Sequence, residues 1–108
     1  MGERQIYLKC VRFNGRLFKK VVIDQHYRET HPEMTDEIIL SLVDLANGAD
    51  SFPGDELDGF RFYKVEPVLL GGLPYRLVLT VPASESYLGV VNAFRVRRKN
   101  EVPFEKAD

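Results

Sequence analysis

The chain has 108 residues, 44% hydrophobic and 29% charged, with a formal net charge of −1. That length suits one domain around one core, and the composition is that of a folding chain rather than a disordered one. The near-neutral balance argues against a generic nucleic-acid coat, and the single cysteine, Cys10, excludes an intrachain disulfide. The lone cysteine makes a reducing, cytoplasmic compartment the expectation, and no apolar run approaches membrane-spanning length, so no membrane partner is expected.

Residues 5–12 and 16–24 predict a hairpin, because Asn14-Gly15 between two β-rich runs suits a type I′ turn. Cys10 falls in the first strand and is expected as a small core residue, with nothing nearby to activate a thiolate. Residues 25–34 break the strand pattern. Pro32 keeps His31 out of helical geometry, and Thr35 then offers an N-cap with Asp36 and Glu37 in the first turn. Ile38, Ile39, Leu42, Leu45 and Ala46 recur at helical spacing, so a helix over 35–47 is expected, stopped by Asn47-Gly48.

Residues 48–58 form a polar Gly/Pro/Asp loop whose acidic positions lack the alternation of a calcium loop. Residues 59–70 and 73–81 predict a second hairpin around Gly71-Gly72, with Pro67 bulging or ending its first strand. After a turn at Pro82–Ser86 comes a last strand over 87–97, with Leu88, Val90, Asn92, Phe94 and Val96 on one face; Asn92 breaks that otherwise apolar face. A charged tail follows from about residue 98. The expected fold is one α+β domain over residues 1–108. One main helix packs on a mainly antiparallel sheet of about five strands, in the order β-β-α-β-β-β.

Charge is segregated along the chain. From Glu29 to Asp58 there is no lysine or arginine, while both flanks are basic, which predicts one acidic and one basic surface. Arg95, Arg97, Arg98 and Lys99 make a compact basic run beside Phe94, suited to a phosphate backbone or to guarding a sheet edge.

Both histidines lie in one stretch, His26-Tyr27-Arg28-Glu29-Thr30-His31-Pro32-Glu33, at the strand-to-helix junction. Histidine's unperturbed pKa lies near neutrality, which suits proton transfer. Cleaving RNA through its 2′-hydroxyl needs a base, an acid and a cation for the charged transition state. His26, His31 and Glu33 are the candidate catalytic residues. Arg28, Arg76 and Arg95 are candidate phosphate ligands, because a guanidinium matches phosphate oxygens bidentately. Tyr75, Tyr87 and Thr80 are placed to position phosphate or stack on a base. His26 and His31 lack metal-ligand spacing, so no metal and no cofactor is expected.

A strand ending at His26, then His31-Pro32-Glu33 leading into an amphipathic helix, then a sheet closing on Val90-Val91-Asn92-Ala93-Phe94, resembles the barnase–EndoU–colicin–RelE superfamily, in particular its phage-associated branches. The resemblance implies a small metal-independent ribonuclease, often toxin-like and borne by bacteria or phages. It implies counterparts at Thr80, Asn92 and Phe94. The chain departs from that pattern by opening with a hairpin and by carrying Thr30 before His31.

The leading expectation is thus an RNA-directed nuclease or toxin-like domain, with RNA and a cognate protein as partners. The alternative is a non-enzymatic interaction module with an acidic helix and loop surface and a basic sheet edge, or one that dimerises through its first hairpin.

Overall fold

Asn14 and Gly15 take φ of 52° and 75°, and the chain reverses there between β1 (Arg4–Phe13) and β2 (Arg16–Asp24). The computed structural model describes residues 3–51, 54, 56–57, 59–82 and 86–96. After β2 come α1 (Tyr27–Thr30) and α2 (Asp36–Leu45). Four strands follow, β3 (Glu56–Leu57), β4 (Phe60–Leu70), β5 (Leu73–Pro82) and β6 (Leu88–Arg95). The Thr35 hydroxyl accepts from the Ile38 N–H at 3.1 Å and caps α2. Gly71 and Gly72, at φ of 62° and 82°, turn β4 into β5. Pro67 lies at a register shift between Val65 and Val68, where a strand can lose its N–H donor.

The strands form one six-stranded sheet in the order β1-β2-β6-β5-β4-β3. This overturns the expected architecture of one main helix on about five strands in the order β-β-α-β-β-β. The helices have only four and ten residues, whereas β1, β4 and β5 have ten or more each, so the molecule is mostly sheet. The junction also holds a helix of its own, and a two-residue strand arises inside the expected 48–58 loop. β2 pairs parallel with β6, Val21 facing Leu88 and Ile23 facing Val90, while the other strand-to-strand pairings of the sheet are antiparallel. A parallel pair needs a long crossover, and here it takes both helices and three strands.

One face of the sheet supplies the core. Val21, Ile23, Leu77, Leu79, Leu88 and Val90 are buried there and join Ile39, Leu42 and Val43 of α2 in a single cluster. Three bulges reset which residues reach it, the one at Glu66-Pro67 of β4 and one each in β6 and β1. In β6, Asn92 pairs with Val78 and Val90 with Leu79, so Val91 is an extra residue. The bulge shifts the strand's phase: Ala93 turns into the core, and Asn92 and Phe94 turn away. The expected single face from Leu88 to Val96 therefore splits in two. In β1, Lys9 and Cys10 bulge opposite one residue of β2, and Cys10 is exposed rather than in the core.

The expected acidic and basic surfaces are partly folded onto each other. Lys9 pairs with Asp44 at 2.8 Å, Arg61 with Glu56 at 2.7 Å, and Arg28 approaches Asp36 at 3.6 Å. Among the described residues no helix is long and apolar enough to cross a membrane. Arg97, Arg98, Lys99 and the charged tail lie outside the described residues, as do residues 83–85 of the expected turn and Asp55 and Asp58 of the acidic loop.

Candidate functional site

β2 ends at Asp24, whose Oδ1 accepts the backbone N–H of His26 at 2.9 Å. One turn of helix follows, closed by the His31 N–H donating to the Tyr27 carbonyl at 2.7 Å. Pairing of β2 with β6 stops at Ile23 and Val90, but β6 runs on to Arg95. α1 packs against β6. This brings the His31 ring onto Phe94, stacked with centroids 4.7 Å apart and planes 22° apart. His31 keeps 27% of its side chain exposed, and its Nδ1 lies 3.9 Å from Glu33 Oε2. That is an ion-pair distance and too long for a hydrogen bond.

Phe94 faces Arg76 across β5 and β6, and the guanidinium carbon stands 5.4 Å from the ring centroid. Arg76 donates to both oxygens of Glu66, at 2.5 and 3.0 Å. The bond from Arg76 holds the Glu66 carboxyl below its usual pKa, and the same bond raises that of Arg76. The ring of Phe94 is thus contacted by His31 and Arg76, and the arginine's charge is already balanced by a carboxylate.

Asp36 is the fixed point behind the junction. Its Oδ1 accepts the Tyr27 hydroxyl at 2.5 Å and its Oδ2 the Tyr7 hydroxyl at 2.6 Å. Gln25 Nε2 donates to both oxygens at 3.1 and 3.2 Å. Burial raises the pKa of the Asp36 carboxyl. The bonds from Tyr27, Tyr7 and Gln25 and the Arg28 charge together outweigh burial and hold it below its usual value. Burial, then the bond to Asp36, pushes the Tyr27 phenol up to about 12. One carboxylate therefore ties β1, α1 and the first turn of α2 together.

Across the face turned away from the core, register aligns Ile6, Val22, Gly89, Thr80 and Phe62 in one row over five strands. Asn92, Phe94 and Arg76 share that face, because their register partners alternate with the buried pairs Leu77–Ala93 and Leu79–Val90. A groove of about 220 Å³ crosses it, lined among others by Arg4, Asp24, Phe62, Thr80, Tyr87 and Gly89. The Thr80 hydroxyl donates to the Arg61 carbonyl at 3.2 Å, and Asn92 Oδ1 accepts the Ala93 N–H at 2.9 Å.

Compared with family models, curated proteins and solved structures, the chain matches none.

Of the residues singled out in the sequence, the fold gathers His31, Glu33, Arg76, Thr80 and Asn92 on or beside one sheet face. Three others stand apart. His26 is exposed, with Nδ1 3.6 Å from Glu29. Arg28 donates to Gln25 at 2.7 Å and lies over the Tyr27 ring. Arg95 pairs in register with Tyr75, one residue out of phase with Phe94. Among the described residues, no three His, Cys, Asp or Glu side chains come together as a metal-ligand set. Sequence reasoning missed Tyr27 and Asp36. Their only signal was an aromatic residue between two polar ones and an acid at a helix start, both common for local reasons.

Proposed function

We propose that this is an RNA-directed nuclease or toxin-like domain, related to the ribonuclease superfamily it resembles and acting in a cytoplasmic setting. The observation that carries the reading is the stack of His31 on Phe94 beside Arg76, at the rim of an open sheet face that also bears Thr80 and Asn92. Open sheets with exposed aromatic rings suit single-stranded RNA, whose unstacked bases can lie on them.

The neutral His31 ring takes the proton of the 2′-hydroxyl as that oxygen bonds to phosphorus. The bond from phosphorus to the 5′-oxygen breaks, and that oxygen takes its proton from water, because His26 stands exposed and apart from the stack. Glu33, beside His31 Nδ1, stabilises the imidazolium that forms. Arg76 supports the ring stack more than it adds net charge, since Glu66 holds it.

The test is cleavage of single-stranded RNA by purified protein, with and without EDTA, beside the His26→Ala/His31→Ala double variant. Cleavage that survives chelation and vanishes in the folded double variant supports the reading. Undiminished cleavage in that variant removes the acid–base role.

One observation favours a second reading, a non-enzymatic interaction module. β1 is an edge strand, and its Ile6 and Leu8 are 63% and 87% exposed. An open edge with apolar side chains invites another chain. Folded protein that cleaves no RNA, but sediments as a dimer or captures a cognate protein through this edge, would favour it.

A further inference from the structure

The groove on the open sheet face is distinct from the His31–Phe94 stack and is built differently. Its floor is Gly89, flanked by Val22 on β2 and Thr80 on β5. A Cβ at position 89 would stand 2.7 Å from Thr80 Cγ2 and 3.5 Å from Tyr87 Cε1, so the floor has no side chain and a tyrosine ring borders it. Phe62 rises on the far side, two strands from β6. Backbones two strands apart are separated by roughly 9.5 Å, and only Thr80 fills the row between. The result is a slot with an aromatic ring on each flank and small side chains beneath.

One end of the slot is polar. Arg4 and Asp24 face each other across β1 and β2 and both line the groove, yet no ion pair joins them among the described residues. Asp24 Oδ1 is occupied by the His26 N–H. Oδ2 and the Arg4 guanidinium remain as one acceptor and one set of donors. A planar heteroaromatic ring with donors and acceptors on its edge satisfies both the flanks and the end. The groove's volume of about 220 Å³ falls below the roughly 300–1,000 Å³ usual for drug-sized ligands, which favours a single ring system over a whole cofactor.

We propose that this groove binds one unpaired nucleobase of single-stranded RNA, flanked by Phe62 and Tyr87, with its polar edge toward Arg4 and Asp24. This deepens the RNA reading and rests on it. Gly89 and Phe94 pair with Thr80 and Arg76, which are four residues apart on β5, so with the Val91 bulge between them they stand about 13 Å apart along the sheet. A base held in the groove anchors the strand at that distance from His31 and sets which phosphate reaches it.

The experiment is an amide chemical-shift titration of the intact protein, first with each of the four ribonucleoside monophosphates, then with a short single-stranded RNA. Phe62→Leu and Tyr87→Leu are the variants, since they keep apolar volume and remove the π face; their amide spectra report whether they fold. The proposal expects shifts centred on Val22, Thr80 and Gly89, and a loss of RNA affinity of about five- to hundredfold in either folded variant. An abasic nucleotide at the preferred position should cost the wild type a similar factor. RNA binding with unshifted groove amides, or with both variants unchanged, would overturn the groove and leave the RNA reading standing. No binding of any RNA, with no shifts from the monophosphates, would overturn both. Groove shifts with the monophosphates but no cleavage of RNA would keep the base site and remove the nuclease.

Discussion

Tyr27 donates its hydroxyl to Asp36 Oδ1 at 2.5 Å from a fully buried position, nine residues away across two helices. Removing the acceptor strands that hydroxyl in the interior and releases Tyr7 and Gln25 as well. An unsatisfied buried polar group costs about 1–3 kcal/mol, and more when the lost partner was charged. Asp36→Ala should therefore destabilise the protein by about 2–4 kcal/mol in chemical denaturation. Tyr27→Phe, which removes one donor and leaves the carboxylate two others, should cost less.

The same carboxylate sets part of the acid response. Its folded pKa lies below its ordinary value of 3.8, so the folded state favours the charged form. The stability this contributes is fully present above that ordinary value. It fades as pH falls through the ordinary value toward the lower folded one, because the unfolded state then binds a proton that the folded state still resists. Glu66 acts in the same direction, its pKa lowered from 4.5 by Arg76, though solvent screens this more exposed pair. Stability measured from pH 6 down to pH 2 should drop at the acid end, and Asp36→Asn should flatten that drop. An unchanged slope in the variant would show that Asp36 is not its source.

The Tyr27–Asp36 bond also marks what sequence can and cannot give. Both hairpins, the Thr35 cap and the Pro67 irregularity were readable because their causes are local: a positive φ at Asn14 and Gly71, a hydroxyl one residue before a helix, a missing N–H. The parallel seam of β2 with β6 was not, since nothing in either strand names a partner more than sixty residues away. Nor was the extra residue at Val91, which moves Asn92 and Phe94 off the core face by one step of a two-residue period. The candidate site inherits both problems. His31 and Phe94 were each visible, but their stack depends on β6 outrunning β2 and on that bulge.

That stack separates chemistry from folding. His31 is only partly buried, and its stacking on Phe94 is worth about 1 kcal/mol. His31→Ala should lower RNA cleavage by about 10²- to 10⁴-fold, the usual worth of a general base or acid, with stability down by about 1 kcal/mol. Phe94→Leu should leave His31 in place chemically but unsupported, lowering cleavage less than His31→Ala does. Equal activity of wild type and both variants, measured on folded protein, would remove the stack from the mechanism.

Glu66 holds Arg76 in a two-point contact and so competes with any phosphate for that guanidinium. Glu66→Gln keeps the shape and removes the charge. RNA affinity should rise, and the logarithm of the binding constant should fall more steeply with the logarithm of salt, by about 0.7 for one added phosphate contact. The cost in stability should stay below about 1 kcal/mol, as is usual for a part-exposed pair. An unchanged salt slope would show that RNA does not reach Arg76.

Gly89 and Thr80 are register partners so close that position 89 has no room for a Cβ. The obstacle is a single methyl group, Thr80 Cγ2 at 2.7 Å from the Cβ site, on a β-branched side chain whose hydroxyl is held by the Arg61 carbonyl. A β-branched residue turns about one bond only, and turning it here breaks that hydrogen bond. Gly89→Ala should therefore destabilise by about 1–3 kcal/mol, the range for overpacking. Thr80→Ser removes the methyl and keeps the hydroxyl. The double variant should recover most of the loss, so the two changes should be strongly non-additive in a double-mutant cycle. Additive effects would mean that the backbone around β5 and β6, and not the threonine methyl, requires glycine.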